Sequence, residues 1–318
     1  MKINVVCKWI FVLLLIVTSF YSCVKNSTTA PPAQNSTVAQ LIKSATNLTI
    51  FNAALVRSGL DTLLNNPDSL VTVFVATDYT MNFYGLTAAV IDTMSIPTLK
   101  TLIEYCIYQG NAVPSSQFTM GQNISTPVAS GDSIFITNTG SAIYINGISV
   151  PTTDISANHG NGYLDVMAQP LTPPVDSILQ IIQSDTTLSY FDTAVLRTTS
   201  INSLLTSGSI YTVLVPNNNA FRNAGLNSIS TADTTALAQL LLYHIIPKRY
   251  FTSDISIALG TSTDTTTQIT LSGSTIKVIL GIDYQAEGNS DSTAANLYAP
   301  NIMARNGVVH KIDQVLHQ

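Results

Sequence analysis

The order of apolar and polar residues that begins at Leu48 begins again at Leu188, and the likeness continues through the rest of the chain. A chain that repeats itself at this period must build one kind of body twice, because each copy carries its own core side chains. Leu48-Thr49-Ile50-Phe51-Asn52-Ala53-Ala54-Leu55-Val56-Arg57, with Leu60, Leu63 and Leu64 beyond, spaces its apolar residues by three and four. Leu188-Ser189-Tyr190-Phe191-Asp192-Thr193-Ala194-Val195-Leu196-Arg197, with Ile201, Leu204 and Leu205, does the same. Both predict an amphipathic helix with one buried face. Residues 70–75 and 211–215 follow as β-branched runs and predict strands. Polar turns come next, at 76–79 and 216–219, where Asp and Asn side chains suit the capping of a short helix.

The parallel goes on. Residues 98–107 and 236–246 read as apolar-striped helices, each with a tyrosine near its end. Short strand-like runs separated by Gly, Asn, Ser and Thr follow: 133–136 and 142–145 in the first copy, 268–271 and 275–280 in the second. Each copy closes on further apolar stretches, at 162–171 and 307–316. Helices first and meandering strands after them define an α+β class. The Pro170-Leu171-Thr172-Pro173-Pro174 segment predicts a short, stiff connection. The expected organisation is a first domain over 37–171, a linker over 172–175 and a second domain over 176–318.

With 46% apolar residues each half has enough material for a core. The 13 Lys and Arg, set against 18 Asp and Glu, form no cluster, and the net charge of -5 excludes phosphate-backbone binding as the chain's business. At the N-terminus Lys2 and Lys8 precede a short apolar run, 9–17, followed by small and polar residues up to Ser22-Cys23. That is the shape of a secretory signal, too short to span a bilayer comfortably. It also resembles a bacterial lipoprotein signal, in which Cys23 would carry lipid. Phe20 and Tyr21 are bulkier than the usual residues before such a cysteine. Simple cleavage and retention as a membrane anchor are the alternatives. The expectation is therefore a signal over 1–22, a Ser, Thr, Asn and Pro-rich tether over 23–36, and a lipid anchor in a bacterial envelope, in its outer membrane. Cys106 is then the one body thiol, in a helical apolar setting that predicts an inert buried side chain.

Two stretches carry a resemblance. Tyr211-Thr212-Val213-Leu214-Val215-Pro216-Asn217-Asn218-Asn219-Ala220-Phe221 resembles the first signature of fasciclin domains. Asn306-Gly307-Val308-Val309-His310-Lys311-Ile312-Asp313 resembles the second, and Tyr243-His244 is similar to the family's central pair. The first copy is a diverged version, with Tyr105-Cys106 and Asn161-Gly162-Tyr163-Leu164-Asp165 in the matching places, so that Asp165 stands where His310 does. The resemblance implies two α+β modules, each with N-terminal helices packed on a compact, mostly antiparallel sheet arrangement. It implies adhesion or ligand display without catalysis, and it assigns Thr212, Pro216, Asn217, Phe221, Tyr243, His244, Asn306, Gly307, His310 and Asp313 structural parts.

Residues suited to chemistry are few. The sequence has no HExxH, CxxC, GxSxG, GxGxxG or GxxxxGK pattern. No cofactor, metal or enzyme activity is expected. His244 and His310 read as core imidazoles bonded to backbone or tyrosine. Asp283, Tyr284 and Glu287 open the richest oxygen-donor segment, 283–291, expected as an exposed hairpin or insertion loop in reach of a partner. Tyr79, Phe83 and Tyr84 either pack across a short helix or offer aromatic anchors, and Tyr79 and Tyr84 are taken as partner contacts. The partner is a surface protein or a glycan, self-association is open, and nucleic acid is excluded. The resulting expectation is an envelope-anchored adhesion or ligand-binding protein, with an envelope scaffold or a glycan-binding accessory lipoprotein as the alternatives.

Overall fold

Each domain begins with a helix locked to the strand that closes it. The computed structural model describes residues 36–318 except 159, 259–264 and 282. The chain opens with α1 (Val38–Ser44), α2 (Thr49–Ser58) and α3 (Asp61–Asn65), then β1 (Val71–Ala76), α4 (Asp78–Phe83), α5 (Ala88–Thr93) and α6 (Ile96–Tyr105). Strands β2 (Ile107–Gln109), β3 (Gly121–Pro127), β4 (Ser133–Asn138), β5 (Ile143–Ile145), β6 (Ile148–Ser149), β7 (Thr152–Ser156) and β8 (Gly162–Met167) complete the first domain. The second repeats the order with α7 (Ile178–Ser184), α8 (Ser189–Arg197), α9 (Thr199–Thr206), β9 (Tyr211–Pro216), α10 (Asn218–Asn223) and α11 (Thr234–Tyr243). It continues through β10 (Ile245–Ile246), α12 (Ser253–Ala258), β11 (Thr265–Ile269), β12 (Thr275–Leu280), β13 (Tyr284–Glu287), β14 (Ala295–Ala304) and β15 (Gly307–Ile312).

Thr37 and Ser177 each cap the first helix of their domain in a reciprocal box with Gln40 and Gln180. The next backbone N–H is taken by an asparagine from the far end of the same domain. Val38 donates to Asn161 Oδ1 at 3.1 Å and Ile178 to Asn306 Oδ1 at 2.8 Å. Those asparagines donate in turn to the carbonyls of Leu64 and Leu205, so a single amide ties the first helix to the last strand.

The fold is α+β, with one parallel strand pair per domain among antiparallel neighbours. β1 pairs parallel with β8, and β9 with β15, in the same register: Val71 faces Gly162 and Tyr211 faces Gly307. The first domain holds the sheets β2-β1-β8-β7 and β3-β4-β5-β6, and the second a seven-stranded sheet, β10-β9-β15-β14-β13-β12-β11. Val71, Val73, Phe74, Val213, Leu214 and Val215 are buried on both faces between the helices and the outer strands. This is why the central strands read as nearly continuous apolar runs, broken only by Thr72 and Thr212.

Several expected boundaries shift. The helices expected over 98–107 and 236–246 end at Tyr105 and Tyr243. Ile107 and Ile245 leave the helix to pair with β1 and β9. An apolar residue satisfies either element, and only the neighbouring strand's open hydrogen bonds select the second. Leu63 and Leu64 belong to a separate helix that Leu60 precedes, because Gly59 turns left-handed at φ 76 and ends α2. The short helices after β1 and β9 are capped by Thr77 and Asn217. Asp78 and Asn218 instead reach the starts of α2 and α8, accepting from Ile50 N at 2.8 Å and from Tyr190 N at 3.0 Å.

Candidate functional site

The signature residues gather around the parallel strand pair. Thr212 donates to Lys248 O at 2.7 Å and accepts from Tyr250 N at 2.8 Å, and Pro216 ends β9 beside the Asn217 cap. Phe221 is fully buried, with its ring 6.0 Å from Tyr190 and 6.5 Å from Phe191. Tyr243 donates from its hydroxyl to Thr275 O at 2.8 Å and accepts Asn289 N at 2.9 Å. Asp313 accepts Asn296 N and Nδ2, both at 2.7 Å. Gly307 lies against Tyr211, where a Cβ would come within 1.8 Å of the carbonyl oxygen.

Both histidines bridge backbone segments. His244 caps α11, donating from Nδ1 to Leu240 O at 2.8 Å and accepting Leu316 N at Nε2 at 3.0 Å. His310 uses the opposite tautomer: Nε2 donates to Tyr250 O at 2.9 Å and Nδ1 accepts Asn301 N at 3.0 Å. A ring that accepts at one nitrogen must be neutral there. Burial disfavours the charged form and lowers both pKa values to about 4. Among the described residues no three His, Cys, Asp or Glu side chains converge to hold a metal. Cys106, where the second domain has His244, is buried near Leu102 O and Leu171 O, and burial raises its thiol to about 12. It is not poised as a nucleophile.

Of the exposed hairpin or insertion loop expected over 283–291, the structure forms a hairpin strand that is paired on both edges. Tyr284 and Glu287 lie in β13, paired on both sides by β12 and β14, and Glu287 forms an ion pair with Lys277 at 3.1 Å. The turn after β13 folds back on the body, with Asp291 accepting from Gly288 N and His317 N. Polar composition suggested an exposed segment, whereas Ala286 is buried and anchors the strand. Asp283, beside the strand, lies in a bend, and residues 289–290 form the turn.

The domains are joined by more than the proline-rich segment. The buried Asp254 of α12 accepts Phe251 N at 2.8 Å within its own domain. Across the boundary it accepts from Asn123 Nδ2 and from Thr137 Oγ1, the latter at 3.2 Å, while its own carbonyl takes Gln122 Nε2 at 2.8 Å. The Arg249 guanidinium lies 4.3 Å above the Phe135 ring, and Asn301 donates to Gly147 O at 3.2 Å. Asp254 was not anticipated as part of any site. Its only signal is one carboxylate in an otherwise apolar and hydroxyl-rich run, 250–257.

Beside this interface lies a cleft of about 510 Å³ that both domains line. Phe83, Tyr84 and Leu86 contribute from the end of α4, residues 169–172 from the connecting segment, and residues 298–303 from β14. Phe83 is 72% exposed, Tyr84 45% and Tyr298 48%. Tyr79, 81% exposed, stands one turn earlier on α4. These rings therefore do not pack inward across the short helix. β14 enters the cleft because it bulges between Ala299 and Ile302, with Asn301 at φ 62. Sequence reading missed Tyr298 and Gln169, and its visible sign for Tyr298 was an aromatic two residues before a strand proline.

Set beside known proteins, the chain matches the Fasciclin domain family over residues 46–173 and again over 187–318. It belongs to the fasciclin domain family, as a tandem pair. That family is a non-catalytic one of adhesion and ligand-binding domains. A pig protein, transforming growth factor-beta-induced protein ig-h3, is 25% identical over 179 residues, which are 55% of this chain and 24% of that protein. The chain thus spans about a quarter of the length of that relative. The FAS1 domain pair of the insect cell adhesion molecule fasciclin I is 17% identical, with a TM-score of 0.43, covering 85% of this chain and 96% of the other.

The comparison corrects part of the expectation. The pig relative is an animal protein, so the assignment to bacterial lipoproteins, with its envelope location, signal peptide and lipid anchor, is withdrawn. A cysteine after an apolar run is a short pattern that chance produces readily, whereas the tandem domain match spans most of the chain. Cys23 and the expected signal lie outside the described residues. No helix of the described residues is long and apolar enough to cross a membrane.

Proposed function

We propose that this protein is a two-domain binding module that seats its ligand in the cleft between the domains, as an adhesion protein. One observation carries the reading: large aromatic side chains from both domains stay exposed around a single concavity, although each domain has ample core to bury them. Exposed aromatic rings of this kind are enriched among residues that dominate binding energy. The fixed interface at Asp254 supports the reading, since a cleft shared by two bodies keeps its shape only when they are held together. Tyr84 lines this surface, Tyr79 stands outside the lining, and Tyr284 and Glu287 are left to the sheet.

Beads coated with the purified chain are expected to attach to cells of its source, and beads carrying Phe83→Ala with Tyr298→Ala to attach at least fivefold less. Equal attachment by both, with unchanged melting of the double variant, would remove the cleft from the reading. No attachment by the wild-type beads would remove adhesion itself.

A further inference from the structure

We infer that the ligand of the cleft is an uncharged saccharide, held by stacking on aromatic rings and by hydrogen bonds to neutral groups. This inference rests on the cleft being the binding site and adds its chemical class.

The lining decides the class by what it offers. Among the described residues that line the cleft none is Asp, Glu, Lys, Arg or His, in a molecule whose other surfaces carry all of these. A sulfated or sialylated glycan, or an acidic or basic peptide, would bury its charges there without a counter-charge, which is costly. Apolar partners are poorly served as well, because unpaired polar groups remain in the wall. Among the described residues the hydroxyls of Tyr84 and Tyr298, the Gln169 side-chain amide and the Thr172 hydroxyl have no hydrogen-bond partner. A dry apolar partner would leave these groups unsatisfied, at a cost for each. The amides of Asn146 and Asn301 are already spent on Tyr105, Phe135, Thr252 and Gly147, so they shape the wall and do not face a ligand unpaired.

A ligand that matches this lining must present flat C–H faces to rings and neutral hydroxyls to amide and phenol groups. A pyranose does both: its axial hydrogens form an apolar face, and its equatorial hydroxyls donate and accept at the rim. The Phe83 and Tyr84 rings meet edge to face, 5.1 Å apart at 73°, so the two planes suit successive faces of a bent chain and not one flat ring. Tyr298 supplies a further ring from the opposite domain. A volume of about 510 Å³ falls within the usual range of small-ligand sites, which suits a short terminal stretch of a longer glycan.

The test uses the purified protein on an array carrying neutral, sialylated and sulfated oligosaccharides, followed by calorimetry with each bound neutral oligosaccharide. Binding is expected to neutral spots alone and to change less than twofold between 0.05 and 0.5 M salt. Tyr298→Ala and Phe83→Ala are each expected to weaken it at least tenfold, and Gln169→Ala at least threefold, with melting temperatures unchanged. Three outcomes overturn the inference: binding confined to charged spots, binding that the three substitutions leave intact, and no bound spot at all. If no spot binds while coated beads still attach through the cleft, the ligand is a protein surface and the adhesion reading survives. If the beads do not attach either, both readings fall.

Discussion

Asp165 of β8 and His310 of β15 occupy one register position in the two domains, and each accepts an N–H from a left-handed residue of the neighbouring strand. Asp154 donates to Asp165 Oδ1 at 2.8 Å, with φ 63, and Asn301 donates to His310 Nδ1 at 3.0 Å, with φ 62. The strand pairing sets Asp165 opposite Phe74 and His310 opposite Leu214. The imidazole has a second nitrogen for Tyr250 O, while the carboxylate's Oδ2 is buried without a partner. One geometry therefore carries opposite acid–base consequences in the two domains.

In the second domain, acid is the threat. Burial lowers His244 and His310 to about 4, below the ordinary value of 6.5. Their contribution is complete above pH 6.5 and is lost as pH falls through 4, on the order of 3 kcal/mol for each ring. Urea unfolding at pH 7.5, 5.5 and 4.0 should show this loss, and His310→Gln should flatten it. A wild-type stability independent of pH over that range would show that the rings are not held neutral.

In the first domain the sign reverses. Burial lifts Asp165 to about 7, well above its ordinary 3.8, against the opposing hydrogen bond from Asp154. A raised carboxylate contributes fully below 3.8 and loses that contribution as pH rises through 7. Asp165→Asn keeps an oxygen for Asp154 N–H and removes the buried charge. It is expected to raise stability at pH 8 by about 1–3 kcal/mol and to leave it little changed at pH 4. Denaturant titration of the two proteins at both pH values decides the matter.

Gly162 and Gly307 admit no side chain. A Cβ would stand 1.9 Å from Val71 O in one domain and 1.8 Å from Tyr211 O in the other, at φ 158 and 153. Gly307→Ala should cost more than about 3 kcal/mol, since the obstacle is backbone in the parallel pair and cannot turn aside. Thermal melting against wild type checks this. Gly208→Ala, where nothing lies within 4 Å, is the control expected to melt close to wild type.

The interface should yield to one substitution. Asp254→Ala leaves Phe251 N without its acceptor and removes from Asn123 and Thr137 the carboxylate they share. A loss of about 2–4 kcal/mol is expected, with a larger radius of gyration in solution scattering. A wild-type scattering profile from the variant would mean that the connecting segment and the remaining contacts suffice to hold the domains.

Duplication, α+β class and central strands were legible because they rest on local periodicity. Val71 to Ala76 and Tyr211 to Pro216 are apolar but for Thr72 and Thr212, and a sheet that buries both faces of a strand favours this. The place of Asp165 was legible too, through alignment of the copies. Its orphaned oxygen was not, because that depends on what the neighbouring strand presents.

The residues alone determined two homologous bodies and the helices and strands inside each, since hydrophobic spacing is written along the chain. Only the tertiary structure decided that Tyr284 and Glu287 sit within a sheet, that Asp254 joins the domains, and that Phe83, Tyr84 and Tyr298 share one cleft. The first depends on a strand register that composition does not mark, and the other two on groups far apart in sequence meeting in space. A buried carboxylate or an exposed ring looks the same in one dimension whether or not a partner arrives from more than a hundred residues away.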